Sequence, residues 1–280
     1  MDLIHKLTHL SLFTGIGGLD IAAEWAGFVT VGQCEYADYP TKVLEKHWPD
    51  VPRWRDIRDV TYESFVERTG LRTVDIISGG FPCQPFSVAG KQKGKDDDRY
   101  LWPEMLRVIR EIKPAWVLGE NVPGIIKLAG RTVCENLERK GYAVAILNFE
   151  AAAVGAPHRR ERVFFVAHIK EDVADTKGER QQRQWPYWEQ IAGIHGEKTI
   201  PLCSRSNGGQ WSVEPNVGGM VNGIPCWLDG YWRVEPNIPR VATGVKNRVD
   251  RLKCLGNAVV PQQVYPIFKA IAEIERATGL

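Results

Sequence analysis

The sequence lacks any apolar run approaching the roughly 20 residues that a membrane-spanning helix needs. Its amino terminus also lacks the long apolar stretch of a signal peptide. The six cysteines are scattered without a CxxC pair, which argues against a disulfide framework or a zinc ribbon. We therefore expect no membrane association and a reducing compartment such as the cytoplasm.

Composition and charge are those of an ordinary globular protein. Of the 280 residues, 44% are hydrophobic and 25% are charged. This length is enough for one large domain or up to two. The net charge of +2 gives no indication of a nucleic acid partner. Basic residues do cluster locally, but such clusters become phosphate contacts only where they line one groove. The clusters are Lys91, Lys93 and Lys95; His158, Arg159, Arg160 and Arg162; and Lys177, Arg180 and Arg183.

A glycine-rich loop follows the first apolar run. The run His9–Phe13 predicts a strand and Leu19–Ala26 has the composition of a helix, with Gly15, Gly17 and Gly18 between them. This order opens many nucleotide-binding α/β folds, because glycine lets the backbone turn sharply and approach a ligand. No Lys-Ser or Lys-Thr pair closes the loop, so a phosphate-binding P-loop is disfavoured. A plain tight turn remains an alternative.

Two acidic residues follow the next predicted strands. Glu35 comes directly after the β-rich run 29–34, about 20 positions past the glycine loop, where an acidic residue is well placed to bind ribose hydroxyls. It could instead be a surface residue before a helix at Ala37–His47, although its position favours the ribose role. Asp56 and Ile57 lie in the following strand-end loop and could flank a base.

Cys83 lies in a stiffened loop at the end of a predicted strand. The run Val74–Ile77 predicts a buried strand, and the segment Ser78–Gly90 is too rich in glycine and proline to be a helix. Prolines on both sides of the thiol hold Phe81 and Gln84 extended. Open α/β sheets carry their chemistry at such strand ends. A lone cysteine in a turn is more often unreactive, so its role depends on its neighbours.

A carboxylate and two arginines accompany later strands. Glu120 ends the apolar run 115–119, on the strand after that of Cys83, and could be a general acid or a helix-start residue. Arg160 and Arg162 immediately precede the apolar strand Val163–His168. Core packing explains these arginines poorly. They could bind a substrate or form salt bridges at the edge of a sheet.

The region 170–250 is polar and rich in Gly, Trp, Pro, Asn and Arg, without a helical or alternating pattern. Within it, Trp211–Asp229 aligns without gaps on Trp232–Asp250. Two copies are too few for a solenoid, so the repeat represents paired hairpins or a duplication with one degenerate copy. We predict a small loop-rich domain or insert.

Three parts of the chain follow from these patterns. We predict a catalytic and cofactor-binding domain at 1–169, the loop-rich region at 170–250, and a segment at 251–280 that returns to the first domain. The last segment contains an amphipathic helix at Gln262–Ala277, whose apolar face must be buried. The region around the first glycine loop is the expected place.

Together these residues resemble the DNA cytosine-5 methyltransferase family, in the family's order, over about residues 9–168 and 251–270. The resemblance implies a Rossmann-like methyltransferase fold with a mixed, mostly parallel sheet and helices on both faces. The region 170–250 takes the place of the target-recognition domain. The matching motifs are Phe13-x-Gly15-x-Gly17-Gly18, Pro82-Cys83-Gln84, Glu120-Asn121-Val122, Arg160-Glu161-Arg162 and Gly256-Asn257-Ala258-Val259.

The resemblance also implies an activity, namely methyl transfer from S-adenosylmethionine to carbon 5 of a flipped-out cytosine in duplex DNA, through a covalent adduct with Cys83. The implied catalytic residues are Cys83, Glu120, Arg160 and Arg162. The implied cofactor-binding residues are Phe13, Gly15, Gly17, Gly18, Glu35, Asp56, Ile57, Pro82 and Asn257. The implied DNA contacts are Gln84, Ser87, Arg240 and Arg248.

No metal is expected. We expect a monomer acting on double-stranded DNA in the cytoplasm of a bacterium or a phage-infected cell, in restriction-modification or phage DNA protection. A cognate restriction endonuclease is a candidate partner.

Two departures from the family pattern bear on these expectations. His158 follows the proline where many members carry Gln, and the usual arginine-bearing segment before the closing motif is unclear, with Arg240 and Arg248 nearest. The alternatives are a tRNA cytosine-5 methyltransferase that shares the motifs and a catalytically silent DNA-binding relative. A cysteine hydrolase is disfavoured because nothing pairs with His158 as a base.

Overall fold

Strands and helices alternate along the chain, as the sequence predicts for an α/β fold. The structure is a computed structural model that describes residues 6–82, 100–156, 158–169 and 246–278. The strands are β1 (Leu7–Leu12), β2 (Phe28–Cys34), β3 (Arg53–Trp54), β4 (Ile76–Gly79), β5 (Trp116–Asn121), β6 (Tyr142–Phe149) and β7 (Arg162–Ile169). The helices are α1 (Gly18–Trp25), α2 (Asp38–His47), α3 (Tyr62–Thr69), α4 (Trp102–Ile112), α5 (Arg131–Glu138), α6 (Arg248–Asn257) and α7 (Pro261–Thr278). Short 3₁₀ helices lie at Ile57–Asp59 and Ala151–Val154, and a π-helical turn lies at Ile126–Gly130.

The seven strands form one sheet in the order β3-β2-β1-β4-β5-β7-β6. Strands β1 to β5 are parallel to one another, whereas β7 runs antiparallel between β5 and β6. The predicted mixed, mostly parallel sheet is therefore confirmed. The chain order reverses between β1 and β4, and a crevice forms at such a point because the flanking connections leave in opposite directions.

Helices cover both faces of the sheet, as predicted. On one face, a core of buried apolar side chains joins the strands to α4 and α5 through residues such as Met105, Ile109 and Leu137. On the other face, α1 and α7 share a second core that contains Leu19 and Ile271. Strand residues enter both cores because successive side chains of a strand point to opposite faces.

The C-terminal part of the chain returns to the sheet. The predicted helix Gln262–Ala277 is α7, one residue longer at each end, and it packs on α1, the helix that follows the glycine loop. Helix α6 extends across the predicted boundary between residues 250 and 251, so the last turn of the second repeat copy is helical. The division into domains stays a prediction. The first repeat copy, residues 91–99 and most of 170–250 lie outside the described residues.

None of the helices in the described ranges combines the length and apolar composition required to cross a membrane.

Phe268 closes the core on the α1 side of the sheet. It is fully buried, and its ring meets the edges of His9 and Phe28 at centroid distances of 5.5 and 5.7 Å. We predict that Phe268→Ala lowers the free energy of unfolding by about 3–5 kcal/mol, because the truncation leaves a cavity. Urea denaturation measures the loss. Lys269→Ala, at an exposed neighbour on the same helix, should change it by less than about 0.5 kcal/mol. Equal losses in the two variants would contradict the packing of α7.

Candidate active site

A cleft of about 1270 Å³ opens at the carboxyl ends of the parallel strands. It lies beside the point where the strand order reverses, which is where open α/β sheets bind their ligands. The cleft brings together most of the predicted cofactor residues and two of the predicted catalytic residues. Those that line it are Phe13, Gly15, Glu35, Asp56, Ile57, Pro82, Glu120, Arg162 and Asn257.

The glycine loop depends on glycine for two different reasons. Gly15 and Gly17 have φ values of 59° and 87°, in the left-handed region that other residues seldom adopt. A Cβ at Gly17 would also lie 2.4 Å from the ring of Trp48, and one at Gly18 would lie 2.7 Å from the carbonyl oxygen of Val259. Gly17 and Gly18 are thus placed for close packing and are not among the residues that line the cleft.

Glu35 connects the end of β2 to the glycine loop. Its Oε2 accepts a hydrogen bond from the Gly15 amide at 2.7 Å, and its Oε1 accepts one from the Ala37 amide at 2.8 Å. The Thr14 amide donates to the carbonyl of Cys34 at 3.0 Å. These hydrogen bonds clamp the glycine loop to the end of β2, and the Glu35 carboxylate that joins them lines the cleft.

Asp56 and Ile57 lie where β3 ends. Asp56 begins the 3₁₀ helix, and its Oδ1 accepts a hydrogen bond from the Arg58 amide at 2.9 Å. Ile57 is buried, and its carbonyl accepts a hydrogen bond from Arg107 at 2.8 Å. An acidic and an apolar side chain thus line the same part of the cleft from a firmly held turn.

Tyr36 was not among the predicted site residues. It follows Glu35 directly, lines the cleft and is 77% exposed. Its carbonyl accepts a hydrogen bond from Arg55 at 2.7 Å, which holds the backbone at this position. An aromatic residue directly after the strand-end acid was the signal available in the sequence.

Glu120 and Arg162 form a buried ion pair. β5 and β7 pair antiparallel with Glu120 opposite Phe164, so Arg162, two residues from Phe164, lies on the same face of the sheet as Glu120. Arg162 Nε lies 2.8 Å from Glu120 Oε1, and the two side chains are 14% and 10% exposed. Burial raises the pKa of Glu120 to about 7, against the opposing attraction of Arg162 and Arg160. A carboxyl group that is partly protonated near neutral pH can donate a proton.

Asn121 ties the segment before Cys83 to the end of β5. Its Nδ2 donates to the carbonyl of Phe81 at 2.9 Å, and the Phe81 ring packs against Trp102 with centroids 5.0 Å apart. The backbone at Phe81, which leads into the cysteine loop, is therefore held next to the end of β5, where Glu120 lies. Sequence reasoning assigned Asn121 no role, although an amide next to a strand-end carboxylate was visible. The side chains of Cys83, Gln84, Ser87 and Arg240 lie outside the described residues.

Arg160 contacts the closing motif and does not line the cleft. Its Nη2 donates to the carbonyl of Gly256 at 2.9 Å and also to that of Ala258. Gln263, at the start of α7, donates to the carbonyls of Arg160 and Phe149 at 3.1 and 2.8 Å. The arginine motif and the closing motif are thereby joined. Nothing in the local sequence around Gln263 indicated this contact.

Helix α6 carries the two remaining predicted residues. Asn257, its last residue, is exposed and lines the cleft, whereas Arg248, its first residue, is exposed and does not line it. In the part of the chain that the structure describes, no group of three His, Cys, Asp or Glu side chains is placed to hold a metal ion.

The family model for C-5 cytosine-specific DNA methylases matches residues 7–208 of this chain. The protein belongs to that family.

Individual relatives are type II methyltransferases. M.PspPI of Psychrobacter sp. is 38% identical over 187 residues, covering 64% of this chain and 43% of that protein. M.AquIA of Picosynechococcus sp. is 36% identical over 175 residues, covering 57% and 71%. M.HgiCII of Herpetosiphon aurantiacus is 32% identical over 162 residues, covering 56% and 36%. The matched part thus spans between 36% and 71% of the length of these relatives.

Solved structures share the fold. A prophage-encoded protein of E. coli, described as a DNA modification methyltransferase, superposes with a TM-score of 0.51 at 28% identity, covering 58% of this chain and 47% of that one. Methyltransferase EhMeth of Entamoeba histolytica superposes with a TM-score of 0.59 at 15% identity, covering 96% and 98%. The second likeness concerns the fold alone.

The raised pKa of Glu120 predicts a pH dependence of stability. The folded value of about 7 lies above the ordinary 4.5, so the proton is bound more tightly in the folded protein. Stability from this group is therefore fully present below pH 4.5 and is lost as pH rises through 7. Between these values the wild type should lose up to about 3 kcal/mol of unfolding free energy relative to Glu120→Gln.

Urea denaturation at several pH values measures this difference. Glu135→Gln is the matched control, because it keeps Glu120 and should therefore lose stability with rising pH as the wild type does. The exposed Glu135 carboxyl itself has a pKa lowered by Arg131 and contributes no such loss. Parallel pH profiles for the wild type and Glu120→Gln would contradict the prediction.

Proposed function

We propose that this protein is a DNA (cytosine-5-)-methyltransferase that transfers a methyl group from S-adenosylmethionine to carbon 5 of a flipped-out cytosine in duplex DNA. The observation that carries this proposal is the buried Glu120–Arg162 pair in the same cleft as the clamped glycine loop and Glu35. A general acid and a nucleoside-type site then face one space. The family motif that contains Cys83 adjoins it at Pro82.

The residues of the cleft fit S-adenosylmethionine. Glu35 offers a carboxylate for ribose hydroxyls, and the exposed ring of Tyr36 and the side chain of Ile57 offer apolar surface for a purine. Asp56 provides an acceptor for an exocyclic amine. When bound, the cofactor supplies a methyl group on a positively charged sulfur. Phe13, Gly15, Pro82 and Asn257 complete the proposed site, and Gly17 and Gly18 act through packing.

Cys83 is the proposed nucleophile. Carbon 5 of cytosine becomes nucleophilic only when a group adds to carbon 6, and the Cys83 thiolate would form that sulfur–carbon bond. The displaced electron pair moves toward ring nitrogen 3, where Glu120 would deliver its proton. After methylation, a base takes the carbon 5 proton, the electron pair of that bond restores the ring double bond and expels the Cys83 thiolate, and ring nitrogen 3 returns its proton to Glu120.

The two arginines have different proposed roles. Arg162 holds Glu120 in place, and its guanidinium fork offers further N–H donors to the carbonyl oxygen of the base. Arg160 was predicted to be catalytic, and its hydrogen bonds to Gly256 and Ala258 support a role in holding the closing motif against the cleft.

The target base must leave the duplex, because carbon 5 chemistry requires access to both of its faces. Gln84 would fill the gap in the stack and Ser87 would contact the backbone. The region 170–250 would read base edges, with Arg240 and Arg248 as DNA contacts. We propose that the enzyme acts as a monomer in the cytoplasm, as the methyltransferase of a restriction-modification system or in phage DNA protection. A cognate endonuclease would be its partner.

We predict that Cys83→Ala and Cys83→Ser abolish methyl transfer while S-adenosylmethionine still binds, since the thiol acts only on the base. Incorporation of tritiated methyl groups into duplex DNA measures the activity. Cys134→Ala is the control, because it removes a buried thiol of α5 away from the cleft and should keep the activity. Normal turnover by Cys83→Ala would contradict the covalent route.

The same assay tests the substrate. Methyl transfer by the wild type to tRNA but not to DNA would mean that the substrate is RNA and not DNA. DNA binding without transfer to either would identify a catalytically silent relative. Bisulfite sequencing of DNA from cells that express the protein would then give the modified base and its site.

We also predict that Glu120→Gln slows methyl transfer about 100-fold or more, the usual size of a general acid contribution. The amide keeps the volume of the side chain and can still hydrogen-bond, but it delivers no proton. Single-turnover rates at saturating DNA and cofactor measure the change, with Glu135→Gln as the control at an exposed position. An unchanged rate would remove Glu120 from the reaction.

A further inference from the structure

A buried carboxylate that the proposed reaction does not use lies next to the glycine loop. Asp20, in the first turn of α1, is fully buried. Its Oδ2 accepts a hydrogen bond from the Ser11 hydroxyl at 2.9 Å, and its Oδ1 accepts one from the Gln33 amide at 2.8 Å. One side chain of α1 is therefore bonded to both β1 and β2.

The two partners of Asp20 stand directly before the cofactor residues. Ser11 and Gln33 lie opposite each other in the parallel pairing of β1 and β2. The glycine loop begins two residues after Ser11, and Glu35 lies two residues after Gln33. The carboxylate of Asp20 is thus hydrogen-bonded near the ends of the two strands that lead to the glycine loop and to Glu35.

The same chain of hydrogen bonds continues to the end of α2. Gln33 Oε1 accepts a hydrogen bond from Arg53 Nε at 2.8 Å, and Arg53 Nη2 donates to the carbonyls of Leu44 at 2.9 Å and of Trp48. Those carbonyls belong to the end of α2, where the Trp48 ring packs over Gly17. The network therefore connects Asp20 to the residue whose ring packs against the glycine loop.

Burying a carboxylate is unfavourable unless hydrogen bonds replace its water. The two bonds to Asp20 oppose that effect only in part, and burial raises the pKa of Asp20 to about 6. An apolar side chain would fill the same space without this cost. The presence of a carboxylate here is explained by its hydrogen bonds to Ser11 of β1 and Gln33 of β2.

We propose that Asp20 is a positioning residue for the methyl-donor site, because its carboxylate ties α1 to the ends of β1 and β2 and thereby fixes the contact of Glu35 with Gly15. The inference rests on the proposed function, since it assigns the clamp to S-adenosylmethionine. Asp20 contacts neither substrate nor cofactor in this scheme and acts through Ser11 and Gln33.

The test compares variants that break the bridge with one that preserves it. Asp20→Ala and Gln33→Leu should each raise the Kd for S-adenosylmethionine about tenfold or more, measured by calorimetry on the full chain. The kcat at saturating cofactor should stay within about twofold, because the catalytic pair is untouched. Asp20→Asn should bind within about threefold of the wild type. Its amide oxygen can accept from Gln33, while its amide nitrogen donates to the Ser11 hydroxyl.

Asp75→Ala is the matched control. Asp75 uses its carboxylate to tie β4 to β1 through the Thr8 amide at 2.6 Å and the Thr8 hydroxyl at 2.7 Å, at the amino end of the strands, away from the cleft. This variant should lose stability in thermal denaturation and keep the wild-type Kd for S-adenosylmethionine. A structural effect alone would instead weaken binding equally in Asp20→Ala and Asp75→Ala.

Each outcome decides the proposal. Wild-type affinity in Asp20→Ala and Gln33→Leu, or an Asp20→Asn variant as weak as Asp20→Ala, would overturn the positioning role and leave the proposed function intact. If Asp20→Ala does not fold, Ser11→Ala, which loses one bond, must raise the Kd about threefold or the role is rejected. A wild-type protein that does not bind S-adenosylmethionine would overturn the proposed function itself.

Discussion

The ion pair between Glu120 and Arg162 is the interaction on which the proposed catalytic side of the cleft depends. It needs an antiparallel strand beside β5, because only that arrangement brings an arginine at the start of β7 next to a carboxylate at the end of β5. Burial withholds water from the carboxyl group, and the arginine only partly offsets that loss, so the pKa of Glu120 comes to about 7. The next residue, Asn121, then holds the backbone of Phe81 beside the pair.

The side of the cleft that we propose to bind the cofactor is built on a different principle. Here the ion pairs in the cleft lining, Arg55–Asp38 and Arg58–Asp56, are not buried. The Glu35 carboxylate accepts hydrogen bonds from the backbone amides of Gly15 and Ala37. The buried carboxylate of Asp20 accepts hydrogen bonds from Ser11 and Gln33, on the two strands that lead to the loop and to Glu35. The two sides meet because β1 and β4 are neighbours at the point where the strand order reverses. The fold thereby places the glycine loop and Glu35 in the same cleft as the buried Glu120–Arg162 pair.

Much of this arrangement could be predicted from local pattern. Apolar runs that end in Glu35 and Glu120 were correctly interpreted as strands, and the alternation of strand and helix predicts a parallel sheet whose carboxyl ends share one edge. Tyr36, Asn121, Gln263 and Asp20 were not predicted. The roles of Asn121, Gln263 and Asp20 come from partners elsewhere in the chain, such as the Phe81 carbonyl for Asn121, and composition or periodicity does not show such pairings. Arg160 was predicted to be catalytic, and its hydrogen bond to a carbonyl at the end of α6 was not visible in the sequence.

The sequence by itself determined the order of the elements, the glycines of the first loop and the identity of the side chains at the strand ends. These depend on steric limits and apolar periodicity, which act over a few neighbouring residues. Only the tertiary structure decided that Glu120 is buried against Arg162, that Gly18 must admit the carbonyl of Val259, and that Asp20 joins β1 to β2. Desolvation and hydrogen-bond geometry exist only when separate elements pack together, so the chemistry of these side chains is a property of the assembled sheet.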